Sequence, residues 1–510
     1  MKHLLNLHVL VLGLGDSGLA MARWCASHGS VVSVWDTRSP APQAAALTQH
    51  VPGALVLSGP LDEASFKGIQ LVLKSPGLSP LDQRIAGPLA ASELPVQSEL
   101  DLFARALADL KEDQSYAPKV LAITGTNGKT TTTSMAEMLI ARTGKRVAMA
   151  GNIGPTMLQT LATAINADEL PDVWVLELSS FQLDNVKHFE PDAAVVLNLT
   201  EDHLDWHGTM AAYTAAKARV FGATAVMVIN RDDAAVERLI PAAVPGKGRF
   251  AKAVSRNVVR FGTSEPLRPG DFGLKVENGI PWLVRALESD DTIKRARKSS
   301  GKDAEAEVLH IQRLMPADAL RVRGRHNVAN ALAALALATA VDCPLAPMLH
   351  GLRDYAGEPH RVQFIATVGG VDAFDDSKGT NVGATVAALN GLGDDRAPSK
   401  LVVILGGDGK GQDFTPLTAP VRQHVRAVAT IGRDAALVEA ALENCGVTMQ
   451  RFDTLQAATR WAHSRAHSGD ALLLSPACAS LDMFRNYGHR AEVFVAEVHA
   501  LAADQGEVIA

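Results

Sequence analysis

Short apolar runs recur along this chain, each followed by a glycine-bearing or polar turn and then by a stretch with helical spacing. Residues 8–12 read as a strand, Gly13-Leu14-Gly15-Asp16-Ser17-Gly18 as a turn and 19–28 as a helix. A second strand, 31–35, ends at Asp36, and the run 70–73 meets Ser75-Pro76-Gly77. Strand, glycine turn, helix, strand predicts a βαβ unit. Residues 104–118 read as a charged, loose, helical connector. Beyond it, 119–124 predicts a buried strand, 130–142 a helix, and 173–178 and 193–199 further core strands. The pattern weakens between about 265 and 318. There 288–307 is densely charged, with Lys-Arg-Ala-Arg-Lys at 294–298, and predicts an exposed insertion. An Ala/Leu-rich helix follows at 327–340, then apolar runs at 371–374, 401–405, 427–431 and 471–474 separated by helical segments. The pattern predicts an α/β protein of three domains: a Rossmann-like unit over 1–98, a central unit with a mostly parallel sheet over 99–357, and a second Rossmann-like unit over 358–510.

Composition narrows the class. A chain of 510 residues has room for about three domains. Its 47% hydrophobic and 20% charged content suits several ordinary cores. A formal net charge of -6 argues against nucleic acid as a partner, which needs basic surface. Cys25, Cys343, Cys445 and Cys478 lie far apart with no paired spacing, so a reducing, cytoplasmic compartment is expected. No run is long and apolar enough to predict a membrane span or a signal peptide.

The strongest chemical signal is Gly125-Thr126-Asn127-Gly128-Lys129-Thr130, followed by Thr131, between a strand and a helix. Glycines let backbone N–H groups close around phosphate oxygens, and the helix N-terminus adds partial positive charge. Lys129 is expected to reach the outer phosphates of ATP, and the Thr130 hydroxyl to ligate Mg²⁺. Ile123 stands where the longer form of this motif has glycine, so the match is to a shorter variant. Glu177 closes a core strand, where open α/β sheets bind ligands, and a carboxylate there suits Mg²⁺ beside phosphates. Thr200-Glu201-Asp202-His203-Leu204-Asp205-Trp206-His207 follows another strand and is dense in ionisable groups. Lys217, taken alone, reads as an exposed helix lysine. Three polar loops follow strands of the last region: Asp375-Asp376-Ser377-Lys378-Gly379-Thr380-Asn381, Leu405-Gly406-Gly407-Asp408-Gly409-Lys410, and Ser475-Pro476-Ala477-Cys478-Ala479-Ser480-Leu481. Together they predict a composite binding site.

With these motifs, and with Gly-Asn-Ile-Gly (151–154), Glu-Leu-Ser-Ser-Phe-Gln-Leu (177–183), Gly-Arg-His-Asn (324–327) and Pro-His-Arg (359–361), the chain resembles the Mur ligases of peptidoglycan synthesis from about residue 8 to about 498. Asp-Ser-Lys-Gly-Thr-Asn (376–381) and Ser-Pro-Ala-Cys-Ala-Ser-Leu-Asp (475–482) resemble the branch that adds D-glutamate. The resemblance implies a monomeric ATP- and Mg²⁺-dependent amide ligase whose partners are UDP-N-acetylmuramoyl-L-alanine and D-glutamate. It implies that Lys129 holds the outer phosphates, that Thr130 and Glu177 hold one Mg²⁺, and that His203 and an N-carbamylated Lys217 serve a second. Asn327, Asn330, Arg361 and Asp376 match positions around the adenine nucleotide. Lys378, Thr380, Lys410, Ser480, Leu481 and Tyr487 match those around D-glutamate, with Tyr487 standing in for a phenyl ring. Asp16, Ser17, Asp36, Thr37, Arg38, Ser75, Gly77 and Asn152 match positions near the UDP substrate; an acid at position 16 is a departure beside a diphosphate.

Other readings compete. Gly13-x-Gly15-x-x-Gly18 with Asp36 is close to the dinucleotide fingerprint and alone predicts an NAD-dependent oxidoreductase. That leaves the phosphate loop and the three later loops unexplained. A sibling ligase adding another amino acid is the nearer rival. Folylpolyglutamate synthases normally lack the first βαβ unit, and a non-catalytic nucleotide sensor has no use for Lys129, Glu177, His203 and Lys217 together.

Overall fold

The computed structural model describes residues 1–184, 186–244, 255–288, 309–322 and 324–507. Three parallel or mostly parallel sheets follow one another along the chain. The first contains β1 (His8–Leu12), β2 (Val31–Trp35), β3 (Leu55–Val56), β4 (Leu71–Lys74) and β5 (Val96–Gln97), in the spatial order β3-β2-β1-β4-β5. All its pairings are parallel, so β1 stands at the switch point between β2 and β4.

The central sheet contains β6 (Lys119–Thr124), β7 (Val147–Gly151), β8 (Val173–Glu177), β9 (Ala193–Val196), β10 (Val226–Asn230) and β11 (Val258–Phe261), ordered β11-β10-β9-β6-β8-β7. Here β6 is flanked by β8 and β9, with Ile123 beside Glu177 and Thr124 beside Val196. This register sets the ends of three strands side by side, which brings the phosphate loop, Glu177 and the Thr200–His207 loop together. The helix after β6, Lys129–Ala141, packs against the helix Arg325–Ala340. Ala331, Ala333, Ala334, Ala336 and Ala338 are buried on the latter, and small side chains let the two backbones approach. Each buried leucine between them, such as Leu332 or Leu335, contributes about 2 kcal/mol.

The last sheet contains β15 (Gln363–Val368), β16 (Val371–Asp375), β17 (Leu401–Gly406), β18 (Val425–Ile431), β19 (Thr448–Arg451) and β20 (Ala471–Leu474), ordered β15-β16-β20-β17-β18-β19. Only the β15–β16 pair is antiparallel. β16, β20 and β17 are neighbours, so the three polar loops that follow them share one edge.

Two expectations need correction. The connector is not loose: it is the helix Glu99–Gln114, whose Leu100, Leu102, Phe103, Ala106 and Leu110 are buried in a core shared by the first and central sheets. Lys111, Glu112 and Asp113 are exposed but Glu99, Asp101 and Asp109 are buried, so charge density alone misreads it. The weak pattern at 265–318 also conceals a sheet, while the exposed insertion expected at 288–307 falls, past Glu288, outside the described residues. Between 265 and 318 the chain forms β12 (Phe272–Glu277), β13 (Ile280–Leu287) and β14 (His310–Pro316), an antiparallel sheet that buries Phe272, Leu283, Val284 and Met315. One face is apolar and the other polar, which dilutes any continuous hydrophobic signal. The basic run 294–298 lies outside the described residues.

Candidate active site

The phosphate loop is shaped by close approaches. Gly125 has φ +153°, and a Cβ there would come 2.9 Å from Leu197 Cβ. Gly128 caps the helix Lys129–Ala141 at φ +84°, where a Cβ would lie 2.6 Å from Asn330 Oδ1. Only glycine satisfies both the turn and the neighbour. The Lys129 ammonium donates to Gly125 O at 2.9 Å and Thr126 O at 2.8 Å.

Lys217 corrects its local reading. Its side chain is 2% exposed, and Nζ donates to Gly125 O at 2.9 Å and Thr124 Oγ1 at 3.4 Å. It also lies 4.7 Å from the Tyr213 ring centroid. Two lysines thus converge on one carbonyl. Burial first, and Lys129 second, push the Lys217 amine well below the ordinary lysine pKa. Burial likewise lowers Lys129.

Glu177, also 2% exposed, accepts from Asn152 Nδ2 at 2.7 Å through Oε1. Its Oε2 is buried with no hydrogen-bond partner among the described residues. A carboxylate oxygen left so is expensive unless a cation or donor meets it. Asn152, expected near the UDP substrate, therefore orients Glu177. His203 has φ +54° and its ring lies 4.7 Å from that of Phe181 at a 60° tilt, with Nε2 3.5 Å from Asp202. Burial lowers its pKa; Asp202 opposes that, while Lys410, Lys129 and Lys217 reinforce it. Lys410, from the last region, thus bears on the same imidazole.

The last sheet reaches the phosphate loop through specific bonds. Thr130 Oγ1 accepts from Arg361 Nη2 at 3.2 Å and from Lys378 Nζ at 3.3 Å. Asn381 Nδ2 donates to Asn127 Oδ1 at 3.1 Å and lies 3.5 Å from Asp202 Oδ2. Burial, aided by Arg361, lowers Lys378 to about 8. Asp376 accepts from Ser475 Oγ at 2.6 Å and from Val362 N at 3.3 Å, and burial raises it to about 7. The segment leading into this sheet carries positive φ at Gly357, His360 and Val362; for β-branched Val362, at +46°, this is strained.

A cavity of about 370 Å³ joins the two sheets, lined by Asn127, Gly128, Thr131, Asn327, Asn330, Arg361 and Asp376 among others. Asn330 Nδ2 donates to Asn327 Oδ1 at 3.2 Å on its wall. Thr380 is half-buried and Ser480 is buried, whereas Lys410 and Leu481 are exposed; Tyr487 is partly exposed, 5.7 Å from Lys378 Nζ to its ring centroid.

Other predicted residues sit apart. Asp36, Thr37 and Arg38 line a separate cavity of about 580 Å³ on the first sheet. Asp36 accepts from Leu14 N at 2.6 Å and from Arg38 Nε at 2.9 Å. Burial opposes its ionisation, but these bonds outweigh it and hold the carboxyl below its ordinary pKa. Asp16 accepts from Gln43 Nε2 at 2.7 Å. Ser17 lies near the buried Glu99, and the Ser75-Pro76-Gly77 turn follows β4 at the switch point. Sequence reasoning missed Asn381, Asp202 and the buried Arg490, whose guanidinium donates to Ser377 O at 2.7 Å and Cys478 O at 3.1 Å. Asn381 stood inside a quoted motif; nothing local marks Arg490.

Comparison with known proteins agrees with this geometry. The chain matches the Mur ligase MurD-like N-terminal domain over 7–94, the Mur ligase middle domain over 123–338, and the Mur ligase glutamate ligase domain over 360–478. With full-length relatives more than half identical to it, the chain belongs to the Mur ligase family. One such relative, from Albidiferax ferrireducens, is named UDP-N-acetylmuramoylalanine--D-glutamate ligase; it is 56% identical over 99% of this chain and 98% of its own. A relative of the same name from Ralstonia nicotianae is 55% identical over 98% of each. Among solved structures, the MurF ligase from Thermotoga maritima in complex with ADP has a TM-score of 0.58 at 17% identity, covering 99% of this chain and 100% of its own. UDP-N-acetylmuramate-alanine ligase MurC from the same organism has 0.54 at 18%, covering 97% and 99%. These two share the fold.

Proposed function

We infer that this chain joins the carboxylate of UDP-N-acetylmuramoyl-L-alanine to the amine of D-glutamate at the expense of ATP, releasing ADP and phosphate in peptidoglycan precursor synthesis. The observation that carries the reading is the convergence of Arg361 and Lys378 on the Thr130 hydroxyl of the phosphate loop, in a chain aligned end to end with D-glutamate ligases.

A carboxylate resists an amine because its oxygen leaves poorly. Attack of that oxygen on the terminal phosphorus of ATP forms an O–P bond as ADP departs. The amine nitrogen of D-glutamate then attacks the acyl carbon, and the tetrahedral adduct expels phosphate and loses a proton. The first step brings anions together, so cations must neutralise them. Lys129 would leave its loop carbonyls for the outer phosphates, with Gly125, Thr126, Asn127, Gly128, Thr130 and Thr131 around them. Asn327, Asn330, Arg361 and Asp376 would hold the nucleotide. Lys378, Thr380, Lys410, Ser480, Leu481 and Tyr487 would hold D-glutamate, two lysines answering its two carboxylates. Asp16, Ser17, Asp36, Thr37, Arg38, Ser75, Gly77 and Asn152 would serve the UDP substrate, Asp36 and Asn152 while keeping the bonds given above.

Among the described residues no three His, Cys, Asp or Glu side chains cluster as a metal site. The unpaired Glu177 Oε2 nevertheless fits a hard cation, with Thr130, His203 and Lys217 completing the donor set. Mg²⁺ held there supplies charge neutralisation between phosphate and carboxylate oxygens. Lys217 would act as its carbamate, which forms from a neutral amine; burial and Lys129 favour that form. Residues 1–98, 99–357 and 358–510 are the proposed domains. A monomer is proposed. No helix among the described residues is long and apolar enough to cross a membrane. Four free, buried cysteines suit the reducing cytoplasm.

The test is phosphate release from ATP with UDP-N-acetylmuramoyl-L-alanine and a panel of amino acids. D-Glutamate is expected to exceed L-glutamate and L-alanine; equal turnover rejects the assignment.

A further inference from the structure

Beneath the exposed Lys410 lies an ion-paired knot that none of the roles above uses. Arg433 follows β18 and holds two loops at once. Its guanidinium Nη2 bonds Asp408 Oδ1, and its backbone N–H donates to Asp482 Oδ2 at 2.9 Å. Its Nε stands 3.7 Å from Asp434 Oδ1. Asp408 Oδ1 in turn accepts the backbone N–H of Lys410 at 3.0 Å, and Lys410 has φ +51°. That bond holds a non-glycine residue in the left-handed region and sets the direction of its side chain. Asp434 Oδ2 accepts Gly409 N at 2.7 Å, and Asp434 N donates back to Gly407 O at 3.0 Å.

The other side of the knot is the loop of Ser480. Asp408 and Ala479 exchange two backbone bonds, at 3.0 and 2.9 Å. The packing leaves no slack, since a Cβ on Gly432 would lie 2.6 Å from both Asp482 Oδ2 and Gly407 Cα. Three carboxylates, Asp408, Asp434 and Asp482, therefore sit under a pocket proposed to take a dianion, and Arg433 is the cation set among them.

We propose that Arg433 is a positioning residue for the amino-acid substrate. Its guanidinium fixes Lys410 through Asp408 and neutralises carboxylates that would otherwise repel the incoming D-glutamate, while its backbone N–H, which any residue there keeps, ties Asp482 of the Ser480 loop. This rests on the reading that Lys410 and Ser480 hold D-glutamate. Because the bonds of the knot join the Lys410 and Ser480 loops and none of them goes to the phosphate loop, its effect falls on amino-acid binding more than on ATP handling.

The experiment is steady-state phosphate release by the full-length enzyme and by Arg433→Ala and Arg433→Lys, varying D-glutamate and ATP separately, with melting temperatures beside them. Arg433→Ala is expected to raise KM for D-glutamate roughly tenfold while kcat and KM for ATP stay within about twofold, since a charge-assisted bond is lost at a binding loop. Arg433→Lys keeps the charge without the fork and is expected to recover part of that loss. An unchanged KM for D-glutamate in Arg433→Ala overturns the inference. So does a parallel rise in both KM values, which marks general loosening. If the wild-type enzyme releases no phosphate with D-glutamate, the substrate reading falls first and takes this inference with it. If the wild-type enzyme responds and the variant does not differ, only this inference falls.

Discussion

Lys217 is buried and Lys129 half-buried, both bonded to the Gly125 carbonyl of the phosphate loop, whereas the half-buried Lys378 and the exposed Lys410 reach in from loops of the last sheet. The central half is built on the ends of adjacent parallel strands, with register deciding which groups meet. The half from the last sheet is built on three loops held by the Arg490 guanidinium on the Ser377 and Cys478 carbonyls, the Arg433 guanidinium on Asp408, and the Asp482 carboxylate on the Arg433 backbone N–H. Burial perturbs charge in both halves: it lowers Lys129 and Lys217 in the first, and in the second it lowers Lys378 and raises Asp376. Partial exposure in the second suits a substrate that must enter and a product that must leave. On the proposed assignments the difference separates chemistry from recognition, and it makes the two halves experimentally distinguishable.

The sharpest break is expected at Glu177. Glu177→Gln removes the charge that faces the proposed cation, and kcat for phosphate release should fall roughly a thousandfold. A variant keeping a tenth of the activity, by this rough scale, would remove Glu177 from the chemistry. Lys217→Ala comes next, with a loss of roughly a hundredfold if the side chain supports the metal. Added short carboxylates should restore part of it in a rate assay, and full activity without them would end the carbamate assignment.

On the recognition side, Lys378 has a pKa of about 8 and is a cation only below it. KM for D-glutamate should therefore be flat below that pH and climb by roughly tenfold per unit above it, a rise that Lys378→Met abolishes. The smallest effect concerns stability. Asp376 titrates at about 7 when folded against an ordinary 3.8, so the native state holds a proton that the unfolded chain releases between those values. Stability then falls as pH rises through that window, and the full penalty remains above it. Asp376→Asn should melt roughly 2–4 °C higher than wild type at pH 8, with no gap near pH 4, by thermal scanning.

The sequence carried much of this architecture because parallel strands buried on both faces, as at 119–124 and 471–474, write themselves as apolar runs closed by turns. The phosphate loop was legible for the same local reason. Lys217 was not: a helix lysine has the same neighbours in sequence whether its face meets water or the Gly125 carbonyl. The sheet β12-β13-β14 was missed because each strand hides one face and shows the other. The contacts of Arg361, Lys378 and Asn381 with residues 127–130 join distant parts of the chain, and no short-range pattern encodes them. The strained Val362 lies among ordinary-looking neighbours, since its φ is imposed by Asp376 and the turn at His360.

Thr130 and Lys378 are 248 positions apart. At the usual pace of bacterial synthesis, the ribosome emits Thr130 roughly ten to fifty seconds before Lys378. During that interval a growing chain owns a phosphate loop without the cations that complete it. Whatever nucleotide such a nascent chain meets, it lacks the amino-acid side of the cleft. Fragments stopped before residue 361 therefore carry neither Arg361 nor Lys378 to complete the site.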